Sequence, residues 1–101
     1  MVLGSVVVYG HPEERTAAQR RAFERALFGH TDRSKNGRYA YERAGYLTGK
    51  PHVVVRRAVL LVPLDEGDAL AAFVRARGAW AWVRRVELSA AEARRLYPLP
   101  R

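Results

Sequence analysis

Residues 2–9, VLGSVVVY, form the segment that decides the fold. Three consecutive valines with little polar alternation are typical of a strand that is covered on both faces. Gly10 and Pro12 then end the run, because both residue types interrupt regular strands. We therefore expect a central strand near the N-terminus, with the other elements arranged around it.

The chain beyond this strand predicts alternating helices and strands. In order, we expect a helix at 13–28, a loop at 31–37, a weak hairpin strand at 38–47, a strand at 52–62, a helix at 65–77 opened by Asp65, a strand at 79–88 and a helix at 89–97. This order predicts an α+β sandwich of the ferredoxin-like, split βαβ type, with an added C-terminal helix and a long basic loop or hairpin after the first helix. Without the weak strand, the same pattern gives a three-stranded sandwich with residues 33–50 as a long functional loop.

Three local patterns refine this prediction. Thr16-x-x-Gln19 and Ser89-x-x-Glu92 are capping-box spacings and mark helix starts. Arg56 and Arg57 would point to opposite faces of a regular strand, so we expect residues 53–57 to project beyond the sheet. The alternation in residues 79–88 places both tryptophans, Trp80 and Trp82, on one strand face, where such a pair is usually core covered by a helix. If that face were open, the same rings would be stacking platforms.

Composition limits the class of protein. A chain of 101 residues, 49% of them hydrophobic, predicts one domain spanning residues 1–101. The absence of cysteine excludes disulfides, thiolate zinc sites and cysteine nucleophiles. Apolar runs fall below the roughly 18 residues that a membrane span requires, and the N-terminus lacks the features of a signal peptide. We expect a soluble, cytoplasmic protein, and the depletion of thermolabile residue types fits a thermophile.

The net charge favours a polyanionic partner. The formal charge is +8 and the pI is about 10.8. GC-rich coding DNA would explain arginine in place of lysine, but it would not explain why acids fail to balance the bases. The excess is concentrated in a basic extension at residues 29–57, where tyrosines lie between the cations. The predicted nucleic-acid-binding residues are Arg33, Lys35, Arg38, Tyr39, Tyr41, Arg43, Tyr46, Lys50, Arg56 and Arg57.

These residue types predict a non-catalytic RNA-binding protein, associated with the ribosome or another ribonucleoprotein by analogy. The cations would contact phosphates, and the tyrosines would stack on unpaired bases unless they pack the hairpin onto the sheet. RNA is preferred to DNA because the sequence shows no helix-turn-helix or other groove-reading helix. About six phosphate contacts on a single strand predict a log–log salt slope near −4.

Two alternatives from other classes stay open. The first is a nucleic-acid-processing enzyme that uses His11, His30 or His52 as acid and base. The second is a homodimer formed through an open sheet face, with an acidic protein as partner of the basic extension. We expect no metal and no cofactor, since the histidine and acid spacings do not show three or four converging ligands and no nucleotide-binding fingerprint is present.

Overall fold

The computed structural model describes residues 1–34 and 36–99, which form a mixed α+β structure with two compact units. The sheet unit comprises residues 1–13 and 51–101, and the hairpin unit comprises residues 14–50. In chain order the elements are β1 (Leu3–Gly10), α1 (Ala17–Phe28), β2 (His30–Ser34), β3 (Tyr39–Arg43), β4 (Val53–Arg56), β5 (Val59–Pro63), a 3₁₀ turn (Leu64–Glu66), α2 (Gly67–Ala76), β6 (Trp80–Glu87) and α3 (Ala90–Leu96). The expectation of a single domain stays a prediction.

The sheet unit is built on a four-stranded antiparallel sheet in the order β4-β5-β1-β6. The N-terminal valine run is therefore an inner strand, as predicted. Directly paired residues share a sheet face, so Val7 lies on the same face as Leu60 and Val83. Helix α2 covers this face, and a Cβ added to Gly67 at its start would lie 2.6 Å from the Ser5 Oγ atom.

Within the sheet unit, α3 covers one end of the opposite face. Leu96 of α3 is buried in an apolar cluster with Val53, Leu61 and Leu88, and Val6 packs against that cluster. The capping box from Ser89 to Glu92 opens this helix, as predicted. The other end of the face is open: Trp80 is 53% exposed and Trp82 is 42% exposed. The prediction that a helix covers both tryptophans was therefore wrong.

The segment predicted as one strand at 52–62 is two strands. The chain reverses at residues 57–58, where Ala58 has a φ of 66°, and β4 then pairs with β5. Arg56 and Arg57 thus belong to a strand end and a turn, and the predicted projection of residues 53–57 beyond the sheet was wrong. The sequence does not indicate this turn, because the residue in the left-handed conformation is alanine, whereas glycine or asparagine is usual there.

Other predicted boundaries also change. Helix α1 begins at Ala17 rather than at residue 13, because the Thr16 side chain accepts the backbone N–H of Gln19 and caps the helix. Asp65 lies in the 3₁₀ turn and makes no side-chain cap to α2. Residues 31–34, predicted as loop, are strand β2, and the strand predicted at 38–47 is shortened to β3 in a separate two-stranded sheet.

The hairpin unit consists of α1, the β2–β3 hairpin and a following turn. Gly29 ends α1 with a φ of 82° and donates its N–H to the Arg25 carbonyl over 2.8 Å. A Cβ at Gly45 would lie 2.2 Å from the Gly29 nitrogen, so the two ends of the hairpin meet backbone to backbone. The N–H groups of Tyr46 and Leu47 then donate to carbonyls in the last turn of α1. These contacts fix the base of the hairpin to the end of the helix.

Across residues 1–34 and 36–99, no helix has the length and apolar character needed to cross a membrane. The cytoplasmic location stays a prediction.

Candidate nucleic-acid interface

The β2–β3 hairpin sorts the predicted contact residues onto two faces. Its antiparallel register pairs His30 with Arg43, Asp32 with Tyr41, and Ser34 with Tyr39. Because paired residues share a face and successive residues alternate, these six side chains form one surface, which we call the tyrosine face. Tyr39 is 45% exposed and Tyr41 is 50% exposed. The hairpin therefore presents two aromatic rings side by side.

Among the described residues of the hairpin, Arg38 and Arg33 are cations without an acidic partner. Arg38 is an exposed residue of the turn, next to Gly37 with its φ of 82°. Arg33 pairs with Ala40 and so lies on the face opposite the tyrosines. Across residues 1–34 and 36–99, no carboxylate forms an ion pair with either guanidinium group. Both cations are thus available to an anion outside the chain.

Arg43, in contrast, is engaged by an acid of the same face. Its Nε donates to Asp32 Oδ2 over 2.9 Å, while Asp32 Oδ1 lies 3.0 Å from His30 Nε2. The hydrogen bond from Arg43, helped by the neighbouring His30, holds the pKa of the Asp32 carboxyl below its ordinary value. Asp32 is therefore anionic at neutral pH and offsets the positive charge of Arg43 on the tyrosine face.

Tyr46 and Lys50 contact each other in the turn that follows the hairpin. Lys50 Nζ donates to the Tyr46 carbonyl over 2.7 Å and lies 4.4 Å from the centroid of the Tyr46 ring. Tyr46 is half-buried and lies beyond the end of β3. Both residues therefore stabilise the turn that follows the hairpin, and they do not extend the tyrosine face.

A groove of about 500 Å³ lies beside the base of the hairpin. Arg21, Arg25 and His30 line it with four small residues, Ala18, Ala22, Ala26 and Ala44. Arg21 and Arg25 are not among the residues predicted from sequence to bind nucleic acid, because a charged outer helix face is usually only solvated. The available signal was their spacing, since two like charges one helical turn apart repel each other unless an anion relieves the repulsion.

The remaining predicted residues lie elsewhere. Arg56 and Arg57 belong to the sheet unit, at the end of β4 and in the following turn. After a register shift in β4, Arg56 pairs with Val59, whose partner on β1 is Val8, and this pairing places the arginine in the strand row that contains Trp82. Lys35 lies outside the described residues. The basic extension predicted at residues 29–57 is thus divided between the two units.

His11 and His30 each contact a side chain of their own unit. The ring centroids of His11 and Tyr9 lie 6.2 Å apart, edge to face, and His30 is paired with Asp32. Among residues 1–34 and 36–99, no three histidine or acidic side chains lie close enough together to hold a metal ion.

The arrangement in the hairpin unit combines aromatic surface and positive charge. Two exposed tyrosines lie between Arg38 at the turn and the groove with Arg21 and Arg25, and His30 belongs to both the tyrosine face and the groove. Such a surface can hold phosphates at both ends and flat rings between them. Neither a family model, nor a curated protein, nor a solved structure matches this chain.

Proposed function

We propose that this chain is a non-catalytic RNA-binding protein that holds unpaired RNA on the tyrosine face of its β2–β3 hairpin. The observation that carries the proposal is the exposure of Tyr39 and Tyr41 on one face, beside an Arg38 that has no acidic partner in the described residues. Exposed rings bind bases by stacking, which requires bases that are not already paired. Uncompensated guanidinium groups bind the phosphates between them.

The dimensions of the hairpin suit a short single strand. Tyr39 and Tyr41 are two residues apart on β3, which separates them by about 7 Å. From the turn to the hairpin base, four residue steps of β2 cover about 14 Å. A strand lying on this face would have Arg38 at one end and the Arg21–Arg25 groove at the other. Arg33 starts on the opposite face, and its long side chain would reach the phosphates around the edge of β2 near the turn. That length corresponds to a few nucleotides.

The charges support a binding mode dominated by phosphate contacts. Arg21, Arg25, Arg33 and Arg38 are four exposed cations of one unit. Asp32 reduces the field at the middle of the tyrosine face, so the two ends carry most of the positive potential. A ribonucleoprotein is the setting in which such a surface would meet a fixed, unpaired segment of RNA, as predicted by analogy with ribosome-associated proteins.

We also propose that the sheet unit is a variant of the split βαβ, ferredoxin-like arrangement. Support comes from the strand order β4-β5-β1-β6, its antiparallel pairings, and the connection through α2 between β5 and β6. In this proposal the hairpin unit is an elaboration of the first crossover, since it occupies the chain between β1 and β4.

The test is a comparison of two double variants with the same net charge. Arg33→Gln/Arg38→Gln removes two cations from the hairpin, and Arg75→Gln/Arg77→Gln removes two from the last turn and C-cap of α2. Binding of a fluorescent, unstructured RNA is measured by anisotropy at several salt concentrations. We expect the hairpin variant to lose about tenfold in affinity and its log–log salt slope to become less steep by about 1.4. The α2 variant should stay within about twofold of the unmodified chain.

Equal losses in both variants would contradict a defined site and indicate only a general effect of positive charge. The same mixtures, run on a denaturing gel with and without a divalent metal ion, test the enzyme alternative. A binding protein leaves the RNA whole, whereas strand cleavage that depends on His30 would replace this proposal with a nuclease.

A further inference from the structure

We infer that the open sheet face with Trp80 and Trp82 is a second stacking surface for unpaired bases. This inference rests on the proposed function, because it assigns the same class of ligand to a surface in the other unit. Neither tryptophan is among the ten residues predicted from sequence to bind nucleic acid, and neither belongs to the hairpin unit.

The two indoles are held on one strand face with their outer surfaces accessible. They are separated by one residue on β6, so their Cα atoms lie about 7 Å apart. A Cβ added to Gly10, the residue paired with Trp80, would lie 2.2 to 2.7 Å from three atoms of that indole. The Trp80 ring therefore lies across the glycine backbone, where a larger side chain would displace it. Burial of one side of the ring leaves the other for a ligand.

A cation already stacks on this surface. Arg84 Cζ lies 4.5 Å from the centroid of the Trp82 ring, and Arg84 Nη1 donates to the carbonyl of the preceding residue, Val83, over 2.7 Å. Guanidinium planes stack on bases as aromatic rings do, and they also bind phosphate. Arg84 and Trp82 thus supply a stacking partner and a positive charge at one edge of the sheet.

The same face continues to a second cation at the far edge. Arg56 follows a register shift in β4 and pairs with Val59. Val59 pairs with Val8, and Val8 pairs with Trp82, so the four residues form one row of strand partners across the sheet. Three strand spacings separate Arg56 from Trp82, or about 14 Å. Val8 and Val59 are half-buried and form an apolar floor between the two edges. In the described part of the chain, no carboxylate pairs with Arg56.

Charge and area both favour RNA over a second copy of the chain. A two-fold dimer through this face would bring the arginine-rimmed surfaces of two molecules together, each with a net charge of +8. About half of each indole is exposed, which offers roughly 200 Å² of aromatic surface. A stable interface typically needs roughly 800 Å² on each partner. A few bases with their phosphates fit this small, cationic surface better.

Intrinsic fluorescence tests the inference directly. The chain has two tryptophans, both on this face, so its indole emission reports on this surface. The probes are a single-stranded oligouridylate and inorganic polyphosphate, which is an anion without bases. We expect the oligouridylate to quench the emission much more strongly than polyphosphate does at equal occupancy, because polyphosphate can contact Arg84 but has no bases to stack on the indoles. Trp80→Ala and Trp82→Ala should each weaken oligouridylate binding by about tenfold. Trp80→Phe should retain most of the affinity, which separates lost stacking from lost folding.

The outcomes distinguish this inference from the hairpin proposal. If RNA binds and the Arg33→Gln/Arg38→Gln variant weakens it, but the emission and the tryptophan variants show no effect, the sheet-face inference is overturned and the hairpin proposal stands. If RNA still quenches the emission while the hairpin variant binds normally, the hairpin proposal is overturned and the sheet-face inference stands. If sizing shows a dimer that Trp82→Ala converts to a monomer, the face belongs to a second copy and the inference is wrong.

Discussion

Replacing Asp32 by asparagine should strengthen RNA binding. Asp32 is the acid of the tyrosine face, where it accepts a hydrogen bond from Arg43 and lies opposite Tyr41. Asparagine keeps the size of the side chain and an oxygen that can accept from Arg43, so the hairpin should be retained. The substitution removes a negative charge from the predicted path of the phosphates.

The magnitude follows from the position of the carboxylate. A phosphate beside the Tyr41 ring would lie roughly 7 Å from Asp32, and removing a repulsion at that distance in water improves binding by about threefold at low ionic strength. Arg43, no longer offset by its neighbour, can then take one phosphate contact of its own. That contact should make the log–log salt slope steeper by about 0.7.

Glu42→Gln is the matched control, because it removes the same charge from the opposite face of the hairpin. Glu42 also has one hydrogen-bonding partner on the neighbouring strand, since it accepts from the Thr31 hydroxyl over 2.9 Å. Anisotropy titrations of both variants at low and high salt should show a gain of about threefold for Asp32→Asn at low salt, a smaller gain at high salt, and less than a twofold change for Glu42→Gln. Equal gains in the two variants, or a loss in Asp32→Asn with the fold intact, would refute the assignment of RNA to the tyrosine face.

Two further predictions concern the framework of the site. Gly45→Ala should destabilise the hairpin unit by about 3 kcal/mol, because its Cβ would overlap backbone atoms that cannot move aside. Gly37→Ala should cost about 1 kcal/mol, from its positive φ alone. Urea denaturation followed by circular dichroism compares the two variants, and equal midpoints would contradict the backbone contact at Gly45. Tyr97→Phe should destabilise the sheet unit by about 1–2 kcal/mol, since the hydroxyl accepts from the Leu64 N–H and donates to the Leu3 carbonyl, both over 2.8 Å. An unchanged urea midpoint for Tyr97→Phe would show that these bonds contribute nothing.

Local signals in the sequence predicted local structure well. The capping boxes at Thr16 and Ser89 need residues only three positions apart, and both form as predicted. The valine run predicted an inner strand, and β1 is one, although Val6 and Val8 on one of its faces are only half-buried. Strand alternation also placed both tryptophans on one face, which the pairing with β1 bears out.

Features that depend on distant parts of the chain were missed. The exposure of Trp80 and Trp82 depends on where α3 packs, and the seven residues of that helix cover only the other end of the face. The reversal at Ala58 splits a continuous apolar run, and alanine gives no signal of a left-handed turn. The hydrogen bond from Arg43 to Asp32 depends on the register of the hairpin, and the number of charges in residues 29–57 does not reveal that register.

The pairing of charges also changes the expected number of phosphate contacts. Arg43 and Lys50 were counted among the contacts, but the first is engaged by Asp32 and the second by the Tyr46 carbonyl and ring. Arg21 and Arg25 were omitted, yet they line the groove at the base of the hairpin. With Arg33 and Arg38, the hairpin unit offers four exposed cations in place of the six contacts expected from sequence.

The salt dependence of RNA affinity tests the central claim most directly. The dissociation constant of an unstructured RNA is measured by anisotropy across a series of salt concentrations. Four phosphate contacts in the hairpin unit predict a log–log slope of about −3, and two more from Arg56 and Arg84 on the sheet face would bring it to about −4. A slope near zero, or no binding at low salt, would contradict the claim that the exposed arginines of this protein meet the phosphates of RNA.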